Sequence, residues 1–186
     1  MIRSATRLLG YNDAMNIVLI GYRGSGKTAC GLVLAERLGW DFVDSDEHLQ
    51  RRARMTIKEI FEKEGEAGFR DRESQSIAEL AEGDRTVISV GGGAVLRDEN
   101  VQKLKAGGKI VWLTAPPEVL HERIANDRST EQNRPNLTAA GGLEEIRRLL
   151  PAREPLYAGA ADEVIDTTIG NSIDNVAKEI RRRLKL

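Results

Sequence analysis

The sequence predicts an α/β fold in which one parallel sheet is wrapped on both faces by helices. Three observations predict it. Short apolar runs of strand length alternate with helical patterns from residue 16 to the end, the order that gives crossover connections and parallel pairing. The first of those runs feeds a glycine-rich octapeptide, Gly21-Tyr-Arg-Gly-Ser-Gly-Lys-Thr28, that opens straight into a helix. At 186 residues, with 40% apolar and 31% charged side chains, the chain suits one domain with a sizeable core.

Asn16–Ile20 is an apolar run of buried-strand length, and Ala29–Leu38 carries Leu32, Ala35 and Leu38 at helical spacing before a capping Gly39. Asp41–Asp44 reads as a second strand. Ser45–Arg54 and Ile57–Glu64 read as short helices and Ala67–Ala81 as a longer one. Thr86–Val90 is a third strand, closed by Gly91, Gly92 and Gly93. Asp98–Ala106 suits a helix, Lys109–Leu113 a fourth strand, and Pro116 a helix start that runs to Asn126. Residues 129–142 are polar, with Pro135, Gly141 and Gly142, and read as a mobile lid loop, since long loops in compact domains are usually functional. Leu143–Leu150 is helical, Pro151 perturbs it, and Tyr157 closes a further short helix. Glu163–Asp166 is a fifth strand and Ser172–Leu186 an amphipathic terminal helix. Residues 1–14 read as a disordered or loosely docked N-terminal extension, leaving 15–186 as a single domain.

A net charge of −1 gives no global reason to expect nucleic acid or a membrane surface as partner, and no apolar stretch approaches membrane-spanning length. The single cysteine, Cys30, excludes an intramolecular disulfide and suits a reducing cytoplasm; its expected role is a small buried helix residue.

The octapeptide is a complete G-x-x-x-x-G-K-[ST] phosphate loop between a strand and a helix, the context its mechanism needs. Backbone N–H groups of Gly24, Ser25 and Gly26 would converge on phosphate oxygens, and the following helix N-terminus adds a favourable field for anions. Lys27 would reach the β- and γ-phosphates of ATP, and the Thr28 hydroxyl would ligate Mg²⁺. The third strand offers no aspartate for that ion, whereas the second ends in Asp44-Ser-Asp46. If extended, these two carboxylates project to one side, one for Mg²⁺ and one for a substrate hydroxyl; they are equally good helix caps. No guanine-specific Asn-Lys-x-Asp is present, which weakens a GTPase reading, and a motor or transporter ATPase would be larger. A small kinase for a small molecule remains.

The acceptor side rests on arginines. Arg70 and Glu73 share a helix face, as a surface salt bridge would also. Three consecutive glycines, Gly91 to Gly93, lose much entropy on ordering; their use is close approach of a ligand to the backbone at the C-terminal sheet edge. With Arg134 in the lid and Arg153 in Arg153-Glu-Pro-Leu-Tyr157, the combination points to an anionic acceptor bearing hydroxyls.

In these blocks the chain resembles the shikimate kinases over nearly all of residues 16–167. The ordered set is the phosphate loop, Phe42-Val-Asp-Ser-Asp46, Ile57-Lys-Glu-Ile-Phe61, Gly65-Glu66 with Phe69-Arg70 and Glu73, the triple glycine, Arg134-Pro135, Arg153-Glu-Pro-Leu-Tyr157 and Val164-Ile-Asp-Thr167. The resemblance implies a five-stranded parallel sheet in the order 2-3-1-4-5, with a lid and a helical substrate-binding region. It implies transfer of the ATP γ-phosphoryl group to the 3-hydroxyl of shikimate, on the route to chorismate and the aromatic amino acids, by a monomer. By the same resemblance Asp46 orients or deprotonates the attacking hydroxyl. Arg70 and Arg153 grip the carboxylate with help from Glu73 and Gly91 to Gly93. Lys27 and Arg134 stabilise the transferring charge, Thr28 and Asp44 organise Mg²⁺, and Arg128 flanks adenine. Two departures stand out: Asn136 replaces an apolar lid residue, and Arg51-Arg-Ala-Arg-Met55 lacks the glycine usual there. The rival readings are a gluconate or nucleoside-monophosphate kinase and a non-catalytic ATP sensor.

Overall fold

A computed structural model describes residues 15–126, 142–168, 170 and 172–186. Arg128, Arg134, Pro135, Asn136 and the N-terminal extension lie outside the described residues, as does all of the expected lid except Gly142.

The strands β1 (Asn16–Ile20), β2 (Asp41–Asp44), β3 (Thr86–Ser89), β4 (Gly108–Thr114) and β5 (Glu163–Asp166) form one sheet in the order β2-β3-β1-β4-β5. Every pairing is parallel. This is the strand order the resemblance implies. Because β1 is central, both its faces are covered: Val18 and Ile20 pack into one core and Ile17 and Leu19 into the other. The described helices are α1 (Lys27–Leu38), α2 (Ser45–Ala53), α3 (Ile57–Ala81), α4 (Asp98–Gly107), α5 (Pro117–Asn126), α6 (Gly142–Ala160) and α7 (Ile173–Leu184). Leu34 of α1 and Ala177 and Ile180 of α7 cover one face of the sheet. Ile77, Leu104, Leu120, Ile146 and Tyr157, from α3 to α6, cover the other. A smaller, separate cluster of Leu49, Ile57, Ile60 and Phe69 ties α2 to the first half of α3.

Several boundaries differ from the sequence reading for local physical reasons. The helices expected at 57–64 and 67–81 are joined across a kink at Gly65, whose φ of 68° and ψ of −171° are non-helical and suit glycine. The N-terminus of α3 is fixed by a capping box: Thr56 accepts from the Glu59 N–H, and the Glu59 carboxylate accepts from the Thr56 N–H. Pro117 rather than Pro116 occupies the first position of α5. The larger correction concerns α6, which runs unbroken through Pro151 and Pro155. Both rings sit on its exposed face, where water can satisfy the carbonyls they strand, while Leu150, Tyr157 and Ala160 bury the opposite face. Tertiary burial outweighs the local penalty here.

Candidate active site

The phosphate loop begins where β1 emerges from the core. The Ser25 N–H donates to the Tyr22 carbonyl (3.2 Å), closing a turn. Gly26, at φ 88° and ψ 15°, occupies the left-handed region immediately before α1, and its carbonyl accepts from the Cys30 N–H (2.9 Å). The Lys27 ammonium is largely buried and donates to the Gly21 carbonyl (2.9 Å) and the Tyr22 carbonyl (3.0 Å), bracing the loop from within. The loop forms one wall of a cleft of about 850 Å³, which Asp44, Asp46, Ser89, Arg123 and Thr167 also line. That volume falls in the range of small-molecule sites. Arg123, also in that lining, donates to the Thr167 hydroxyl (2.8 Å) and carbonyl (3.1 Å).

At the end of β2 the two readings of Asp44 prove compatible, although the segment is not extended through Asp46. Asp44 caps α2, its Oδ1 accepting from the Asp46 N–H (3.0 Å), so Asp46 sits in the first helical turn. The other carboxylate oxygen, Oδ2, accepts from the Thr28 hydroxyl (3.1 Å) and from the Ser89 hydroxyl (3.1 Å). Ser89 ends β3, where an aspartate often stands in phosphate-loop proteins. A carboxylate and two hydroxyls are hard oxygen donors suited to Mg²⁺, which keeps waters and takes phosphate oxygens rather than an all-protein cage.

The triple glycine shows why side chains are excluded there. A Cβ on Gly91 would stand 3.0 Å from Asp46 Oδ1 and 3.1 Å from Glu73 Oε1, and one on Gly93 would stand 2.6 Å from an Arg70 guanidinium nitrogen. Gly91 also donates its N–H to the Ser45 hydroxyl (3.2 Å). Arg70 pairs with Glu73 at 2.7 Å, as the helical spacing predicts, and lies over the Phe69 ring (5.2 Å), which stacks on Phe61. Burial pushes the Glu73 carboxyl above the usual range, against the opposing pull of Arg70, Arg97 and Arg153. Arg153, from α6, lies over the Tyr22 ring at 5.7 Å. One turn on, the Tyr157 hydroxyl donates to the Gly92 carbonyl, and burial pushes its pKa up to about 12, against the pull of Arg153.

The structure therefore brings Gly24 to Thr28, Asp44, Asp46, Arg70, Glu73, Gly91 to Gly93 and Arg153 to the C-terminal edge of one sheet. Sequence reasoning gave no role to Ser89, Tyr22 or Ser45. Ser89 was findable as the residue in the position of the missing acid; Tyr22 and Ser45 carry no local signal. Nor did it find the ion pair between Arg23 of the phosphate loop and Glu145 of α6.

Comparison with known proteins agrees with this geometry. The family model for shikimate kinase matches residues 23–185. The shikimate kinase of Symbiobacterium thermophilum is 46% identical over 171 residues, covering 92% of this chain and 97% of that protein. That of Pseudomonas syringae pv. tomato is 47% identical over 152 residues, covering 82% and 86%. Among solved structures, shikimate kinase from Acinetobacter baumannii in complex with shikimate superposes with a TM-score of 0.84 at 38% identity, covering 92% of this chain and 94% of that one. On the family model, on these identities and on its strand order, this chain belongs to the shikimate kinase family.

Proposed function

We propose that the protein transfers the γ-phosphoryl group of ATP to the 3-hydroxyl of shikimate, yielding shikimate 3-phosphate and ADP, on the route to chorismate and the aromatic amino acids. One observation carries the acceptor assignment. The triple-glycine turn sets a carboxylate (Asp46) and an arginine fork (Arg70 on Glu73) side by side, next to the phosphate loop. A hydroxylated ring bearing a carboxylate presents the complementary groups, and the related Acinetobacter enzyme is described in complex with shikimate.

Phosphoryl transfer asks the protein mainly for positioning and charge stabilisation, because its transition state is loose. The N–H groups of Gly24, Ser25 and Gly26 would cradle the phosphates. Phosphate oxygens would compete with the Gly21 and Tyr22 carbonyls for the Lys27 ammonium, which has three hydrogens to share. Thr28 and Asp44 would hold Mg²⁺, with Ser89 steadying the carboxylate. When bound, that ion neutralises charge on the β- and γ-phosphates. Arg70 and Arg153 would take the substrate carboxylate, and Glu73 keeps Arg70 aimed. A carboxylate is a weak base toward an alcohol, so Asp46 would chiefly orient the attacking hydroxyl and accept its proton as the new P–O bond forms. Arg134 would stabilise the transferring group and Arg128 would flank adenine. The proposal extends to a monomer working in the cytoplasm, a compartment that the single cysteine suits.

The test is product analysis. ATP, Mg²⁺ and shikimate are incubated with the protein, with gluconate and AMP as alternative acceptors, and the product is read by phosphorus and proton NMR. Phosphate on the 3-oxygen of shikimate supports the proposal; phosphorylation of gluconate or AMP in preference would overturn it.

A further inference from the structure

Arg23, at the second variable position of the phosphate loop, pairs with Glu145, which is fully buried in the first turn of α6. The Arg23 Nε is buried as well. A charged pair this enclosed, spanning 122 residues of sequence, is costly to build from water and is not a surface accident. Its position gives it meaning. Glu145, Arg153 and Tyr157 follow one another at separations of eight and four, so they wind through about 120° along the inward side of α6, where Glu145 and Tyr157 are buried. That side spans ~18 Å at 1.5 Å per residue. At its start it meets Arg23, in the middle the Tyr22 ring, and at its end the carbonyl of Gly92. The triple glycine in turn packs on the phosphate loop: a Cβ on Gly92 would stand 3.3 Å from the Gly21 carbonyl oxygen and 3.6 Å from the Arg23 backbone nitrogen.

We infer that Arg23 and Glu145 form a positioning pair that bolts the phosphate loop to α6, fixing the donor cradle relative to the groups that grip the acceptor. The inference rests on the kinase reading above. Neither residue needs to touch substrate. With the bolt loosened, both ligands still bind, but the γ-phosphorus and the attacking oxygen lose their alignment, and misplacement near 1 Å costs about a hundredfold in rate.

Two variants test this, with the wild type run alongside. Arg23→Lys keeps the charge but not the reach and fork of a guanidinium, and Glu145→Gln leaves the guanidinium facing a neutral amide. Both should lower kcat about tenfold to a hundredfold while KM for ATP and for shikimate changes less than about threefold. The ratio of shikimate-stimulated to basal ADP release should fall with kcat, which a merely structural loss of folded protein would leave unchanged. If Glu145→Gln does not fold, Arg23→Lys decides alone. Wild-type kcat in the folded variants overturns the inference, as does a loss confined to KM for shikimate, which would make Arg23 a binding residue. A wild type without shikimate stimulation overturns the kinase reading itself, and this inference with it.

Discussion

Replacing Gly91 with alanine probes the acceptor site at its tightest point. Gly91 does not adopt the left-handed backbone, so alanine is free of conformational strain there and the effect is that of the methyl group alone. That methyl would stand 3.0 Å from Asp46 Oδ1 and 3.1 Å from Glu73 Oε1, so each must give by a few tenths of an ångström. Neither has slack: Asp46 is 6% exposed and Glu73 2%, and Asp46 is short and anchored in the first turn of α2. On the role proposed for Asp46, moving its carboxylate by a fraction of an ångström should cost about tenfold to a hundredfold in kcat/KM for shikimate, or about 1.4–2.7 kcal/mol in the barrier. Steady-state ADP release measures this, and KM for ATP should hold, because the phosphate loop is untouched. Gly159→Ala is the control: a Cβ there meets nothing within 4 Å, so it should leave kinetics unchanged and add about 0.5–1 kcal/mol of stability to α6. Wild-type kcat/KM in Gly91→Ala would refute the reasoning.

Lys27→Ala should lower kcat about a thousandfold, with shikimate binding retained in equilibrium titration; near-normal turnover would contradict the phosphate-loop assignment. Asp44→Asn should raise the Mg²⁺ concentration for half-maximal activity about tenfold or more, read by Mg²⁺ titration at fixed ATP. Burial pushes the Cys30 thiol up to about 12, so at pH 8 only about one molecule in ten thousand holds a thiolate; thiol reagents should label it only after denaturation. Burial opposes ionisation of Asp162, but Lys109 and the Ile110 N–H (both 2.8 Å) together hold it below the usual range. Its stabilising effect is therefore present above the unfolded value of 3.8 and lost as pH falls through the lower folded value. Asp162→Ala should lower Tm at pH 7, with the gap closing in acid; a gap that widens on acidification would contradict the assignment.

The parts legible in the sequence were those set by short-range chemistry. β1, the loop and α1 follow from an apolar run, a fixed glycine spacing and a capping Gly39, and the Arg70–Glu73 pair follows from one helical turn. Strand alternation predicts a parallel sheet, but its order came only from family resemblance, because periodicity does not say which strands are neighbours. For the same reason the Arg23–Glu145 pair was invisible. Pro151 misled because local propensity carries no information about how a 19-residue helix buries its opposite face. The Thr56–Glu59 capping box was legible and overlooked. Asp44 was ambiguous in sequence because its two oxygens face different partners, Oδ1 capping the helix and Oδ2 accepting from the Thr28 hydroxyl.

The central claim is that ATP turnover is driven by an acceptor whose carboxylate is gripped by Arg70 and Arg153. The most direct measurement is the rate of ADP release from Mg-ATP with shikimate and with its methyl ester, which keeps the hydroxyls and removes the charge. Strong stimulation by shikimate and little by the ester, with Arg70→Ala abolishing the difference, is the predicted result. Equal stimulation by both, or by neither, would contradict the account.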